Sequence, residues 1–226
     1  MALDIVIPLF PFEKYIIAHA IFCVIGFLGF LPLGALLARY TRTYTPSWFT
    51  AHWICQLALA GPTIIIGVAL GFEAVSLAES GGANDVHKKW GIAVFVLYLL
   101  QVAVGLTIHY VKPRSWALGR GRRPAQNYFH AVFGLLIIAF AMFQVRTGFR
   151  SEWPVQTGRG SVGNGANGFW YFWIIFISVL YFAGLSLLVR QFRLEREARK
   201  AALMRDTPEL KPISNADRSS MPPQMT

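Results

Sequence analysis

Five apolar stretches, at residues 15–38, 48–72, 88–111, 127–147 and 169–190, each reach the roughly 20 residues a helix needs to cross a bilayer. The rest of the chain is too short to cover five such segments in water. A segment surrounded by lipid must satisfy its own backbone hydrogen bonds, so these stretches read as α-helices of an integral membrane protein. With 226 residues, 55% of them hydrophobic and 14% charged, the chain has room for one compact all-α domain.

The third and fourth stretches are built on one template. His87, Gly91, Gln101 and Gly105 stand at offsets 0, +4, +14 and +18, and His130, Gly134, Gln144 and Gly148 repeat the same four offsets. At 3.6 residues per turn, +4 and +18 fall close to or on the histidine's own face. Each helix therefore has a stripe with an imidazole near one end and flat, glycine-lined ground along the rest. An ionisable side chain inside a bilayer is costly and marks a functional site by default. The first two stretches share a weaker likeness: His19 and His52 lie near their starts, and Gly34 and Gly67 each follow at +15. Successive spans run in opposite directions, so each pair resembles an inverted repeat.

The formal net charge of +10 is concentrated in particular loops, which points to topology and away from nucleic acid. Lysine and arginine crowd residues 39–46, 112–126 and the tail, whereas the N-terminus and the 73–86 loop are acidic. The positive-inside rule then predicts a short extracytoplasmic N-terminus over 1–14, a transmembrane domain over 15–190, and a cytoplasmic basic helix with a disordered tail over 191–226. Arg146, Arg150 and Arg159 run against that count and are outweighed. The first fourteen residues have no basic n-region, so the first span is expected to act as its own signal.

Pro32 is expected to kink span one, and span five, which has no histidine, to pack outside a four-helix bundle. Residues 149–168 read as a glycine-rich, flexible connection. Their TGRGSVGNG lacks the Lys–Ser/Thr of a phosphate-binding loop and follows no strand, which argues against a nucleotide site. Cys23 and Cys55 fall inside spans and read as small core residues.

With this topology the histidines sort into two layers. His19 and His87 lie shallowly on the outer side, and His52 and His130 on the inner side, about 15 Å away. Two neutral imidazoles facing each other across a bundle suit an iron held on both axial faces of a haem. The glycines supply ground for a porphyrin plate, with Gly105 and Gly148 at the depth of the opposite layer. Gln101 and Gln144 are candidates to bond the second haem or its ligand, and equally to make interhelical contacts. Outside, Lys88, Lys89 and Lys14 are candidates to hold propionates or an anionic reactant; inside, Arg39, Arg42, Lys112 and Arg114 are, although solvated topology charges explain the inner set more simply. His109 reads as an interfacial residue. Zinc or copper on the same four histidines is disfavoured, because the layers are too far apart for one site and no carboxylate or thiolate joins them.

These residues resemble the cytochrome b561 family, particularly the form found fused to extracellular DOMON domains. The matching pieces are His19 with Pro32, Gly34 and Arg39, then His52 with Gln56, then His87–Gly91 with Gln101–Gly105, and His130–Gly134 with Gly148. The resemblance covers roughly residues 15–190. It implies two haem b groups, ligated by His19 with His87 and by His52 with His130, and electron transfer across a membrane. In the family this commonly runs from ascorbate to monodehydroascorbate or ferric chelates. Two departures stand out: about fourteen residues before span one leave no room for a DOMON domain, and the ascorbate-site motifs of the animal and plant members are not found.

Three readings follow. The first is a transmembrane oxidoreductase with its own sites for a small-molecule or protein donor and acceptor. The second is an electron conduit serving a partner, as a homodimer or a subunit of a redox complex. The third is a haem-free transporter or scaffold whose histidines bind protons or hold helices. Ferric reductases of the NADPH oxidase type are disfavoured, since they draw paired ligands from the same helices and no span here has two suitably placed histidines.

Overall fold

The computed structural model describes residues 8–78, 85–111 and 125–206. Among these there is no strand, and five helices are long and apolar enough to cross a membrane: Pro11–Thr41, Trp48–Leu77, Val86–Tyr110, Ala125–Thr157 and Asn164–Ala198, spans one to five. The protein is an all-α, multi-pass membrane protein. Lys112, Arg114 and the rest of that basic loop lie outside the described residues, as does the tail beyond Asp206 that was expected to be disordered.

Spans one to four form the bundle. Phe27, Leu28 and Leu31 of span one meet Ala60 and Ile64 of span two, Val94 and Tyr98 of span three, and Ala141 and Met142 of span four. Span five adds only partly buried side chains to this core, Trp170, Trp173, Ile174 and Ile177, and is peripheral as expected. Lipid is as apolar as leucine, so burial alone does not hold such helices together; close packing and interhelical hydrogen bonds worth about 0.6–2 kcal/mol each must do so. Tyr98 supplies one, its hydroxyl donating to the Gln56 carbonyl at 2.9 Å.

The expected kink at Pro32 takes a specific form. Among the described residues there are three wide π turns, at Val24–Phe30, Ile54–Leu59 and Gly148–Glu152, and each ends shortly before a proline: Pro32, Pro62 and Pro154. A proline cannot donate to the carbonyl four residues back and its ring crowds that carbonyl, so a wider turn relieves both problems. For Pro32 the freed carbonyl is that of Leu28, and the Trp173 indole of span five donates to it at 2.8 Å. Span two supports the same stretch, with Cys55 Sγ donating to the Phe30 carbonyl at 3.3 Å and Gln56 Nε2 to that of Leu31 at 3.0 Å. In lipid, neighbouring helices are the available means of repairing a proline break.

The structure corrects the span ends. Span two runs through Glu73 to Leu77, five residues into the supposed acidic loop. Span four does not stop near residue 147: it continues through Gly148–Glu152 and Trp153–Thr157, and ends at Gly158, whose left-handed φ of 65° closes the helix. Span five already begins at Asn164, inside the stretch read as loop. The connection is thus short and anchored. Arg159 within it pairs with Glu13 at the start of span one, Nε to Oε1 at 2.6 Å, and also donates to the Pro8 carbonyl at 2.9 Å. Glu13 is fully buried beneath it and accepts the Phe10 N–H, in the manner of a capping box. The last helical stretch, Leu188–Asp206, carries span five on into the basic sequence, where a helical continuation was expected.

Candidate functional site

The four histidines are held by reciprocal contacts between antiparallel neighbours. His19 Nδ1 lies 2.7 Å from the Gly67 carbonyl of span two, and His52 Nδ1 lies 2.8 Å from the Gly34 carbonyl of span one. The two glycines at +15 therefore each receive the other span's histidine. An Nδ1–H committed to a carbonyl fixes the neutral tautomer in which Nε2 keeps its lone pair, the state a metal needs.

Spans three and four exchange contacts in the same way. Gln101 Nε2 donates to the His130 carbonyl at 2.7 Å, and Gln144 Nε2 donates to that of His87. His87 Nδ1 in turn lies 3.0 Å from the Thr147 hydroxyl. The glycines make these approaches possible. A Cβ on Gly91 would stand 3.1 Å from Gln144 Nε2, and one on Gly134 2.7 Å from Gln101 Nε2. A Cβ on Gly105 would lie 3.0 Å from the His130 ring, and one on Gly148 3.1 Å from that of His87. All eight template residues are thus engaged, and the glutamines make the interhelical contacts that were one of their two expected roles.

His52 and His130 face each other, with ring centroids 6.4 Å apart and planes at 80°. Metal–imidazole bonds of about 2 Å on each side, plus half a ring each, would place the centroids about 6 Å apart. Around this pair lies a cavity of about 530 Å³, lined by residues that include Gly105, Gly134, Arg39 and His109. That size lies within the range of about 300–1,000 Å³ usual for cofactor clefts. The donor set, spacing and space all fit a haem with two axial histidines.

The charged candidates have other partners as well. Lys88 Nζ lies 2.8 Å from Asp85 and 3.9 Å from Glu152, so its charge is shared between two carboxylates. Partial burial works to raise the Asp85 carboxyl, but the hydrogen bonds and charge of Lys88 outweigh it and hold the group below its usual range. Arg39 donates to the Tyr181 hydroxyl at 3.0 Å, and Arg42 pairs with Glu195 at 3.0 Å; both also line the cavity. His109, one residue from the end of span three, stacks on Phe49 with ring centroids 3.8 Å apart and is among the residues that line the cavity. Sequence reasoning missed Gly71, whose missing side chain leaves room for the His19 ring, and Thr147. Position in the repeat was the available signal for Thr147, which directly precedes Gly148.

The family model for eukaryotic cytochrome b561 matches residues 18–154, which include all four histidines and most or all of each of the first four spans. Among curated relatives, the cytochrome b561 and DOMON domain-containing protein At3g07570 of Arabidopsis thaliana is 26% identical, over 83% of this chain and 45% of its own length. Protein At4g17280 of the same name and organism is 32% identical, over 52% of this chain and 28% of its own length. The chain spans less than half the length of these relatives, and no solved structure matches it. With the four histidine-bearing spans inside the match, the chain belongs to the cytochrome b561 family.

Proposed function

We propose that the chain carries single electrons across a membrane through two haem b groups, one ligated by His19 and His87 and the other by His52 and His130. Membership of the family brings haem b and transmembrane electron transfer with it; the number of haems and the ligand pairs are our reading. The observation that supports it is the 6.4 Å separation of the His52 and His130 ring centroids across the bundle, each ring from a helix with a matched antiparallel neighbour.

His19 with His87 and His52 with His130 would hold the haems, which would supply one-electron chemistry when bound. The protein's own residues hold the imidazoles in the ligating tautomer, space the two layers and keep the bundle dry between them with Phe27, Ile64, Val94 and Tyr98. Reactants then meet the haems at their edges. On the inner side Arg39 and Arg42 line the way in. On the outer side Lys88 is shared between carboxylates, so the exposed Lys14 and Lys89 are better placed for an anionic reactant. Ascorbate is one candidate donor; monodehydroascorbate, a ferric chelate or a redox protein are candidate acceptors. A conduit subunit serving a redox protein is the second reading; the relatives, whose names couple cytochrome b561 with a DOMON domain, support it.

We also propose the topology with the N-terminus (1–14) outside, the transmembrane domain at 15–190 and the basic segment from 191 in the cytoplasm. The Glu13–Arg159 ion pair supports it, because it neutralises one of the three arginines that ran against the charge count. The reading is tested by a reduced-minus-oxidised spectrum with haem content per chain. Two low-spin haems are expected, one lost in His87→Ala and the other in His130→Ala. A colourless protein after expression with ample haem would sink it.

A further inference from the structure

Two arginines line the cavity around His52 and His130, and they are held in different ways. Arg42 pairs with Glu195 at 3.0 Å, and the same carboxylate oxygen accepts from Gln191 Nε2 at 2.9 Å. Its charge is already matched. Arg39 has a neutral partner instead: Nη2 donates to the Tyr181 hydroxyl of span five at 3.0 Å, and the guanidinium carbon lies 5.1 Å from the centre of that ring. Among the described residues no carboxylate forms an ion pair with Arg39. Its Nε is shut off from solvent and has no acceptor among them. A cation near the edge of a bilayer ordinarily snorkels toward water. This one keeps a donor buried and unmet.

Span five is shaped to hold Arg39 in this place. Gly184 leaves room for the arginine stem, since a Cβ there would stand 2.5 Å from Arg39 Cγ. Beside it the Tyr40 hydroxyl donates to the Leu180 carbonyl at 2.6 Å and fastens span one to span five at the same depth. Tyr181 itself lines the cavity. A phenol that accepts from a guanidinium keeps its own O–H proton to give, and among the described residues nothing accepts it. Arg39 and Tyr181 therefore bring unused donors, one set of them cationic, to one wall of the cavity. The chemistry that satisfies such a set is an oxyanion, which takes strong, charge-assisted hydrogen bonds from both.

We propose that Tyr181 and Arg39 form an oxyanion-binding subsite on the wall of the inner cavity, in which Tyr181 accepts from Arg39 and donates its own proton to the anion. The ligand is a carboxylate or a similar oxyanion, supplied by a propionate of the inner haem or by a soluble anionic reactant. Span five, which lies outside the matched residues 18–154, thus contributes half of the subsite, and Arg42 is left to the rim with Glu195. This rests on the reading above of a haem between His52 and His130.

The test is a spectroelectrochemical titration of the full haem-loaded chain, in chloride buffer and with added oxalate, for wild type, Tyr181→Phe and Arg39→Lys. It follows the haem that His130→Ala removes. Negative charge beside a haem favours the oxidised state and lowers its potential. If the oxyanion is a propionate, Tyr181→Phe leaves that charge less well stabilised and lowers this one midpoint potential in chloride buffer, with oxalate adding nothing. If it is a soluble anion, oxalate lowers the potential of this haem in wild type and leaves the other unmoved. Tyr181→Phe then needs about tenfold more oxalate for the same shift, the loss of one hydrogen bond to a charged group. Either result supports the subsite and tells the two sources apart. A wild-type chain that holds no haem on His52 and His130 sinks the reading on which the inference stands. An inner haem retained in Tyr181→Phe, with its potential and its oxalate response both as in wild type, overturns the inference alone. If Tyr181→Phe fails to hold that haem, Arg39→Lys decides by the same two measurements, and no change in either overturns it.

Discussion

Gly105 of span three lies directly against the ring of His130, so close that a Cβ built on it would stand 3.0 Å from Cε1. The contact is tight enough that even a methyl must push the ring by a few tenths of an ångström. In a helix, glycine is about 1 kcal/mol worse than alanine, so the backbone itself gains from losing it. Gly105→Leu is therefore expected to displace His130 and remove most of one haem per chain while the helix stays intact. Gly148→Leu does the same to His87 and the other haem. Pyridine haemochrome content against circular dichroism checks both. Equal loss of both haems in either variant would contradict the layered assignment.

Removing Arg159 leaves the buried Glu13 carboxylate without its ion-pair partner. Breaking such a pair from one side is more damaging than replacing both members, because an uncompensated charge stays behind. Thermal stability in detergent should fall in Arg159→Ala and recover in large part in Arg159→Ala with Glu13→Leu. An unchanged melting temperature in the single variant would mean that water already reaches the carboxylate.

Trp173→Phe takes away the donor to the Leu28 carbonyl opposite Pro32. A buried acceptor left unpaired costs about 1–3 kcal/mol. The expected result is a lower unfolding midpoint with both haems retained, since the ligands come from other helices. Adding Pro32→Ala, which restores an N–H to the same carbonyl, should reverse the loss; failure to do so would show that packing of the indole, and not its hydrogen bond, is what matters.

Ser161 is exposed in the short connection between spans four and five, and Lys200 is exposed on the basic helix. In intact cells a membrane-impermeant thiol reagent should label Ser161→Cys and spare Lys200→Cys. The reverse pattern would invert the topology.

The spans and their histidines were legible because both leave periodic marks: apolar length for the former, four repeated offsets for the latter. The ends were not. Glycine and proline punctuate helices in water, so residues 149–168 read as loop. In the folded chain the helix runs on through Pro154, and the π turn before it relieves the proline's missing N–H and crowded carbonyl. The purpose of the glycines was half legible. Their spacing announced a flat face, but what fills it is the facing helix's histidine or glutamine, and only the antiparallel pairing of Gly105 with His130 and Gly91 with Gln144 reveals that. Glu13 and Arg159 are 146 residues apart and carry no local signal of each other.

The reciprocal holding of the histidines has a consequence for biogenesis. No span presents a finished ligand by itself: His19 waits for the Gly67 carbonyl, and His87 for Thr147 and Gln144 of span four. As the chain threads into the bilayer span by span, the first hairpin completes two imidazoles and the second hairpin the other two. With the ligand pairs proposed above, both close when one finished hairpin docks against the other, and neither haem has a settled seat before the fourth span is in the membrane.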